Sequence, residues 1–333
     1  MPSLFLWSGL LLLTIVGIDV IWTTLGTHGG GPITRHYTSG LWRIALAMHR
    51  RVHKHRLLSF AGSGILLLTV MFWVAMMWLA WTLVYCSDPH AIVDGHTKQP
   101  ADLAGRAYFV AYSISTMGNG DLQPNGSGWR IVTGIMTLSG IAGVTLVTTF
   151  ILSVLGAVVQ GRALGAYISD MGGTPRRIIE RAWTGEEFDS LEQHLVQITA
   201  MLHLYTEEHL AYPVVQYFHS ENRRTAATLR IAALKQVVLL IAEGVAPEKR
   251  LPRMVVEPLR DAFRGFMETV EGEFASAAEE APRDPSLAIL REIGIPTVSE
   301  ETFHEAVARE DAVRRFLLGL VEGDGWTWED TRR

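Results

Sequence analysis

The sequence predicts an all-α membrane protein whose first half lies in a bilayer and whose second half is a water-soluble helical domain. Three observations predict it. Residues 4–25, 57–85 and 131–159 are long runs nearly free of charge, each enough for the roughly 20 residues that cross a hydrocarbon core as a helix. Residues 162–333 carry 20 Lys and Arg against 29 Asp and Glu, a balance of −9, whereas residues 1–161 carry 9 against 5, or +4. Apolar positions in the second half recur at three- and four-residue spacing, the period of helices that bury one face.

The first run reads as a retained membrane helix within 1–27. It has no basic n-region and exceeds the roughly 7 to 15 residues of a signal-peptide core. Asp19 is its awkward residue, because a carboxylate is costly at bilayer depth. It is either a functional acid or, the preferred reading, an acid near the helix end that reaches the interface. Gly29-Gly30-Gly31-Pro32 reads as a tight turn in which proline stops the helix, without the spacing of a phosphate-binding loop.

Residues 28–56 read as a basic cytoplasmic linker with Arg35, Arg43, Arg50, Arg51, Lys54 and Arg56, together with His28, His36, His49, His53 and His55. Short basic loops stay cytoplasmic. That orients the chain: N-terminus outside, second run outward, 87–124 outside or re-entrant, third run inward, and the C-terminal domain in the cytoplasm. The histidines read as part of a lipid-facing basic surface in preference to a proton sensor, and His53-Lys54-His55 gives weak support for a metal site. Trp73, Trp78, Trp81 and Tyr85 suit an interfacial aromatic belt. The single cysteine, Cys86, excludes an internal disulfide and reads as an inert thiol.

Residues 106–116 are too short to cross a bilayer yet apolar enough to enter one, which predicts a short re-entrant helix. Gly118 and Gly120 follow, flanking Asn119, and then Asp121-Leu122-Gln123-Pro124 leads to the third run. Non-helical backbone at membrane depth is tolerated only where protein buries it or water reaches it.

Ser115-Thr116-Met117-Gly118-Asn119-Gly120-Asp121-Leu122-Gln123-Pro124 resembles the pore signature of the tetrameric potassium-channel superfamily, whose pattern is Thr-Val-Gly-Tyr-Gly-Asp. The likeness covers 57–160. It implies a potassium-channel-like pore module with outer helix 57–86, pore helix 105–116, filter 116–120 and inner helix 129–160, after an extra N-terminal transmembrane helix. By resemblance, Thr116, Met117, Gly118, Asn119 and Gly120 coordinate a dehydrated potassium ion through carbonyls and the threonine hydroxyl. Tyr108, Phe109, Tyr112 and Asp121 support the filter, with Tyr108 bonded to Asp121. The family's hinge glycine falls on Gly140, and if Gly140 faces the pore, Val144, Thr148 and Leu152 line it toward the gate. Ordinary helix packing by small residues is the alternative.

Two positions depart from the pattern. Met117 for valine changes little, because a carbonyl faces the ion there. Asn119 for tyrosine matters more, since a short amide cannot fill the space of the tyrosine that holds the family's filter open. Bacterial nonselective sodium-and-potassium channels resemble this chain in carrying a short side chain, aspartate, at that place. The resemblance therefore implies a passive potassium channel built with three further copies of the chain, with K+ as the permeant ion. The competing readings are a nonselective cation channel and a non-conducting membrane signalling module. Enzyme activity lacks a nucleophile-base pair, and neither an organic cofactor nor a nucleic-acid partner is expected. The expected location is the bacterial inner membrane, in contact with lipid.

Residues 161–333 read as a helical cytoplasmic regulatory or assembly domain, with helices at 189–209, 222–243, 258–278 and 300–322 and loops near 244–252 and 282–285. It lacks the Gly-x-Gly-x-x-Gly turn of a Rossmann domain. His194, His203, Glu207 and His209 invite a metal reading, but a four-residue pair without a third ligand is common on solvated helices. Met201, Leu204, Tyr205, Tyr212, Tyr217 and Phe218 read as core. No ladder of arginines marks a voltage sensor, so gating is expected to come from helices of this domain packing against their copies.

Overall fold

The computed structural model of the chain describes residues 2–26, 29–52, 55–271 and 276–332. It divides into two compact units, Met1–Thr38 with Ile65–Ser153, and Ser39–Gly64 with Val154–Arg333. The first unit holds α1 (Pro2–Leu25), the start of α2 (Pro32–Val52), most of α3 (His55–Cys86), α4 (Leu103–Ile114), and α5 (Gly126–Met171) as far as Ser153. Helices α1, α3 and α5 are long and apolar enough to cross a membrane.

The expected linker at 28–56 is largely the helix α2. Pro32 opens this helix instead of closing the previous one, since the first position of a helix has no use for the missing N–H. His28, His53 and Lys54 of that segment lie outside the described residues. The short helix before Thr116 ends at Ile114, two residues earlier than expected, and α5 continues past 160 to Met171. It continues because Leu164 and Ile168 are buried in the second unit, which extends the apolar face of the helix. Two short strands, β1 (Ile92–Asp94) and β2 (Leu122–Pro124), pair antiparallel with Val93 opposite Gln123. They are an exception to the all-α expectation.

Asp19 does not reach an interface. It is 1% exposed, and one carboxylate oxygen accepts from the backbone N–H groups of Ile33 (2.9 Å) and Thr34 (3.2 Å). The other accepts from the Thr34 hydroxyl (2.5 Å) and the Trp73 indole (3.0 Å). The first turn of a helix leaves N–H groups unpaired and carries partial positive charge, so Asp19 of α1 caps α2. Gly31 passes so close that a Cβ there would overlap the carboxylate. Trp73 is thereby drawn inside, and Trp81 and Tyr85 are buried as well. Of the four aromatics expected in a belt, only Trp78 is exposed.

The second unit contains the remainder of α2, α3 and α5, followed by α6 (Pro175–Ala182), α7 (Leu191–Ala211), α8 (Ala227–Leu239), α9 (Arg253–Val270), α10 (Ala288–Ile293), α11 (Glu300–Arg309) and α12 (Asp311–Gly323). Every residue of α8 is buried, its charged ones included. Arg230 donates to the carbonyls of Gly173 and Arg223, Lys235 pairs with Glu310 at 3.1 Å, and Gln236 donates to the Thr331 hydroxyl. Such groups are tolerated inside because each has its partner.

The helix expected over 300–322 is two helices meeting at Glu310. The one expected over 258–278 begins at Arg253 and ends at Val270, and residues 272–275 within its expected span lie outside the described ones. Eight-residue α6 and six-residue α10 are too short to announce themselves by periodicity.

Replacing Asp19 with alanine would leave three N–H donors and a hydroxyl buried without an acceptor. Unpaired buried donors cost about 1–3 kcal/mol each before relaxation. Thermal unfolding in detergent is expected to show a larger fall in Tm for Asp19→Ala than for Asp19→Asn, which keeps one acceptor oxygen.

Candidate functional site

The site is built at the C-terminal end of α4. Asp102 caps the start of this helix by accepting from Gly105 N–H at 2.7 Å. At its end, Thr116 N–H donates to the Ser113 carbonyl and Met117 N–H to the Tyr112 carbonyl, closing the last turn. The chain then leaves helical geometry. Thr116, Gly118 and Gly120 have φ of 61°, 61° and 81°, whereas Met117 and Asn119 between them are not left-handed.

Left-handed residues at every second position re-aim successive peptide planes, the kind of backbone a carbonyl-lined ion site needs. Two of the three left-handed positions are glycine, which adopts them without steric cost. Thr116 is β-branched, and holding it there costs on the order of 1–3 kcal/mol, strain of a kind concentrated at functional sites. The glycines alone suggested permissive backbone, but the threonine's participation was not visible in the residue types.

Asn119 is tied back to α4, its amide donating to the Tyr108 hydroxyl at 2.5 Å. The expected bond from Tyr108 to Asp121 is replaced by this one, because the backbone path brings Asn119 to the hydroxyl. Tyr112 donates to the Leu122 carbonyl at 2.7 Å, so this expected support residue anchors the chain just after residues 116–120. Phe109 is buried and meets Tyr85 and Tyr112 edge-on, with centroids 5.4 Å apart in each case. The backbone of Asp121 accepts from Gly95 N–H at 2.8 Å, and the β1–β2 pairing follows immediately. Residues the sequence did not assign to this site complete the frame, Tyr85 among them, which was expected in an aromatic belt. Tyr85 bonds Thr133 of α5 (2.7 Å), Trp129 donates to Asp88 (2.9 Å), and Arg106 donates to the Pro89 carbonyl (2.8 Å). Their signal was only an excess of aromatics near the helix ends.

Gly140 is not a free bending point. It is buried against the end of α4, where any Cβ would overlap the Ile114 carbonyl. Val144, Thr148 and Leu152 are exposed on α5, and Thr148 donates its hydroxyl hydrogen to the Val144 carbonyl of its own helix. The oxygen of Thr148 remains free to accept.

In the second unit, His203 and Glu207 are exposed, His194 bonds Tyr167 (2.9 Å), and His209 is buried between the Tyr205 carbonyl and Gln216. Burial pushes the His209 imidazole down to about 4, so it is neutral at physiological pH. Among the described residues no group of three or more His, Cys, Asp and Glu has the arrangement to hold a metal ion. Leu204, expected in the core, is exposed, lying one residue before buried Tyr205 on α7.

The model of a family described as "Ion channel" matches residues 65–157, which take in α4, the left-handed residues and the Gly140 contact. The chain belongs to the pore-loop ion-channel family. It is also 33% identical over 328 residues to a Bacillus subtilis (strain 168) protein described as "Uncharacterized membrane protein YdjJ", covering 97% of this chain and 95% of the relative. No solved structure matches. The likeness to the relative therefore extends through the second unit, well beyond the segment that carries the family pattern.

Two glycines of α5 separate packing from flexibility. A Cβ at Gly143 would meet only the Met77 side chain, at 3.7 Å. Gly140→Ala is expected to lower Tm in detergent by several degrees. Gly143→Ala is expected to be neutral or stabilising by about 0.5–1 kcal/mol, the usual gain of alanine over glycine within a helix. Equal destabilisation by both would contradict the Ile114 contact as the reason for Gly140.

Proposed function

We propose that the protein is a passive, potassium-conducting channel formed by four copies of the chain. The single observation that carries this reading is the left-handed alternation at Thr116, Gly118 and Gly120, directly after a short helix that does not cross the membrane. Residues 115–121 are exposed in the single chain. Backbone of that kind cannot face lipid, which supports cover by further copies around a watery axis. The resemblance to the potassium-channel superfamily sets their number at four.

Cation preference follows from charge. A helix carries partial negative charge at its C-terminus, and α4 ends at the filter. Asp121 follows the filter, and no Lys or Arg lies between Arg106 and Arg130. For potassium selectivity, the Asn119–Tyr108 bond supplies what the family's tyrosine would otherwise supply, a tether from the filter to its supporting helix. The shortness of Asn119 favours a second reading, nonselective monovalent cation conduction. Gating would act through α5, which continues from the first unit into the second as one helix. The basic stretch around α2 supports a cytoplasmic second unit and an N-terminus outside, in a bacterial inner membrane.

The test is reversal potential in planar bilayers or proteoliposomes under opposed potassium and sodium gradients. A potential that follows potassium supports selectivity, equal permeabilities support the nonselective reading, and absence of flux in both ions removes conduction altogether. Tyr108→Phe deletes the hydroxyl that holds Asn119. Loss of one hydrogen bond worth about 1 kcal/mol is expected to lower the potassium-to-sodium ratio roughly three- to tenfold, and an unchanged ratio would exclude the tether from selectivity.

A further inference from the structure

A chain of hydrogen-bonded imidazoles lies in the second unit, away from the filter. His55, at the start of α3, places Nδ1 3.1 Å from Nε2 of His219, and Nδ1 of His219 lies 3.1 Å from the Asp324 carboxylate. His219 and Asp324 are both buried. The indole of Trp326 stacks on His55 at 4.3 Å between centroids, and the His55 and His219 rings lie parallel at 5.2 Å. His49 of α2 adds a third imidazole 4.9 Å from His55. It is 7% exposed, and its Nδ1 is buried without a hydrogen-bond partner.

We propose that His55, His219 and Asp324 form an acid-released latch that fastens the start of α3 to the residues around 219 and 324–326.

Proton counting gives the direction. With both imidazoles neutral, His55 Nδ1–H donates to His219 Nε2, and His219 Nδ1–H donates to the carboxylate, so both contacts are satisfied. The hydrogens are assigned from these partners. One added proton is accommodated: it sits on His219 Nε2, His55 takes its other tautomer and accepts, and His219 with Asp324 becomes an ion pair. A second proton is not, because both facing nitrogens would then carry hydrogen at 3.1 Å with no lone pair between them.

The remaining neighbours bear on that second proton. Burial of the His55 ring opposes it most, followed by His219, with His49 on α2 and Arg223 also opposing and Asp330 favouring it. Arg223 lies over Trp326 at 5.8 Å and pairs with Asp330 at 2.6 Å. Tyr205 of α7 and Thr228 of α8 face Asp324. Burial pushes the Asp324 carboxyl up against the opposing bond from His219. Because the closed latch disfavours the second proton, held off His55 first by burial and then by His219, closure is favoured at higher pH and is lost as pH falls below the ordinary imidazole range. This is the proton-sensing role that the sequence ranked below a lipid-facing surface, now with His219 and Asp324 as partners.

The experiment is hydrogen exchange by mass spectrometry on the full-length protein in detergent between pH 8 and 5, corrected for the intrinsic pH dependence of exchange. Protection of peptides covering 219 and 324–326 is expected to fall at least tenfold from pH 7 to 5 in the wild type. His55→Asn puts an amide donor where Nδ1 stands but takes up no proton, so it is expected to remain protected throughout. Asp324→Asn removes the charge that offsets the first proton, and is expected to move opening to higher pH. A wild-type profile flat with pH, the same response in His55→Asn, or abolition of the response by EDTA would each overturn the latch. Its effect on conduction rests on the channel reading above. Potassium flux that changes on acidification in wild type but not in His55→Asn supports the coupling, while an exchange response without a flux response rejects the coupling and leaves the latch standing.

Discussion

Five consecutive residues, Thr116 to Gly120, whose carbonyls have no secondary-structure partner impose the constraint on which the first unit depends. A peptide carbonyl in an apolar surround must be paired or face water or an ion. Re-aiming successive peptide planes takes left-handed backbone at alternate positions, one of them a threonine that resists it. Such backbone persists only where its surroundings hold it. That explains why both ends of the segment are fixed, by the last turn of α4 on one side and by the Tyr112 bond to Leu122 and the β1–β2 pairing on the other. The buried aromatics Phe109, Tyr112 and Tyr85 form the support behind it.

How much of this the sequence disclosed depends on the distance between partners. The membrane-spanning runs and the filter-like segment were legible because their signals are local: length, lack of charge, and glycines spaced two apart. The bond from Asn119 to Tyr108 was not, because the residue types allow Tyr108 to reach either Asn119 or Asp121 and only the backbone path decides. Asp19 was visible as a cost without a visible remedy, since its partners lie 14 and more residues away on α2 and 54 away on α3. The split of the 300–322 helix at Glu310 was hidden because both halves keep helical periodicity.

The buried charges of the two units obey one rule with different partners. Asp19 is answered by a helix start, Arg230 by carbonyls, Lys235 by a carboxylate, and Asp324 by an imidazole. None of the first three partnerships involves an imidazole, the side chain whose ordinary value lies within the physiological range. An imidazole changes charge within that range. The Asp324 joint is therefore the one among these four whose strength a cell could alter through pH alone, which distinguishes it from the structural capping done by Asp19.

The length of α5 and the surroundings of its glycines bear on the gating proposed above. A helix of 46 residues is about 69 Å long at 1.5 Å per residue, and a displacement at one end is carried along it unless it bends. Bending is cheapest at a glycine whose surroundings are open. Gly140, the position the family resemblance would make a hinge, is held against the Ile114 carbonyl, so a bend there must move the end of α4 as well. Gly134 and Gly156 have no neighbouring atom within 4 Å of where a Cβ would stand. A bend at Gly156 would leave the α4 contact untouched, whereas one at Gly140 would move the end of α4. For the channel proposed above, those two positions therefore separate a gate independent of the α4 contact from one that acts through it.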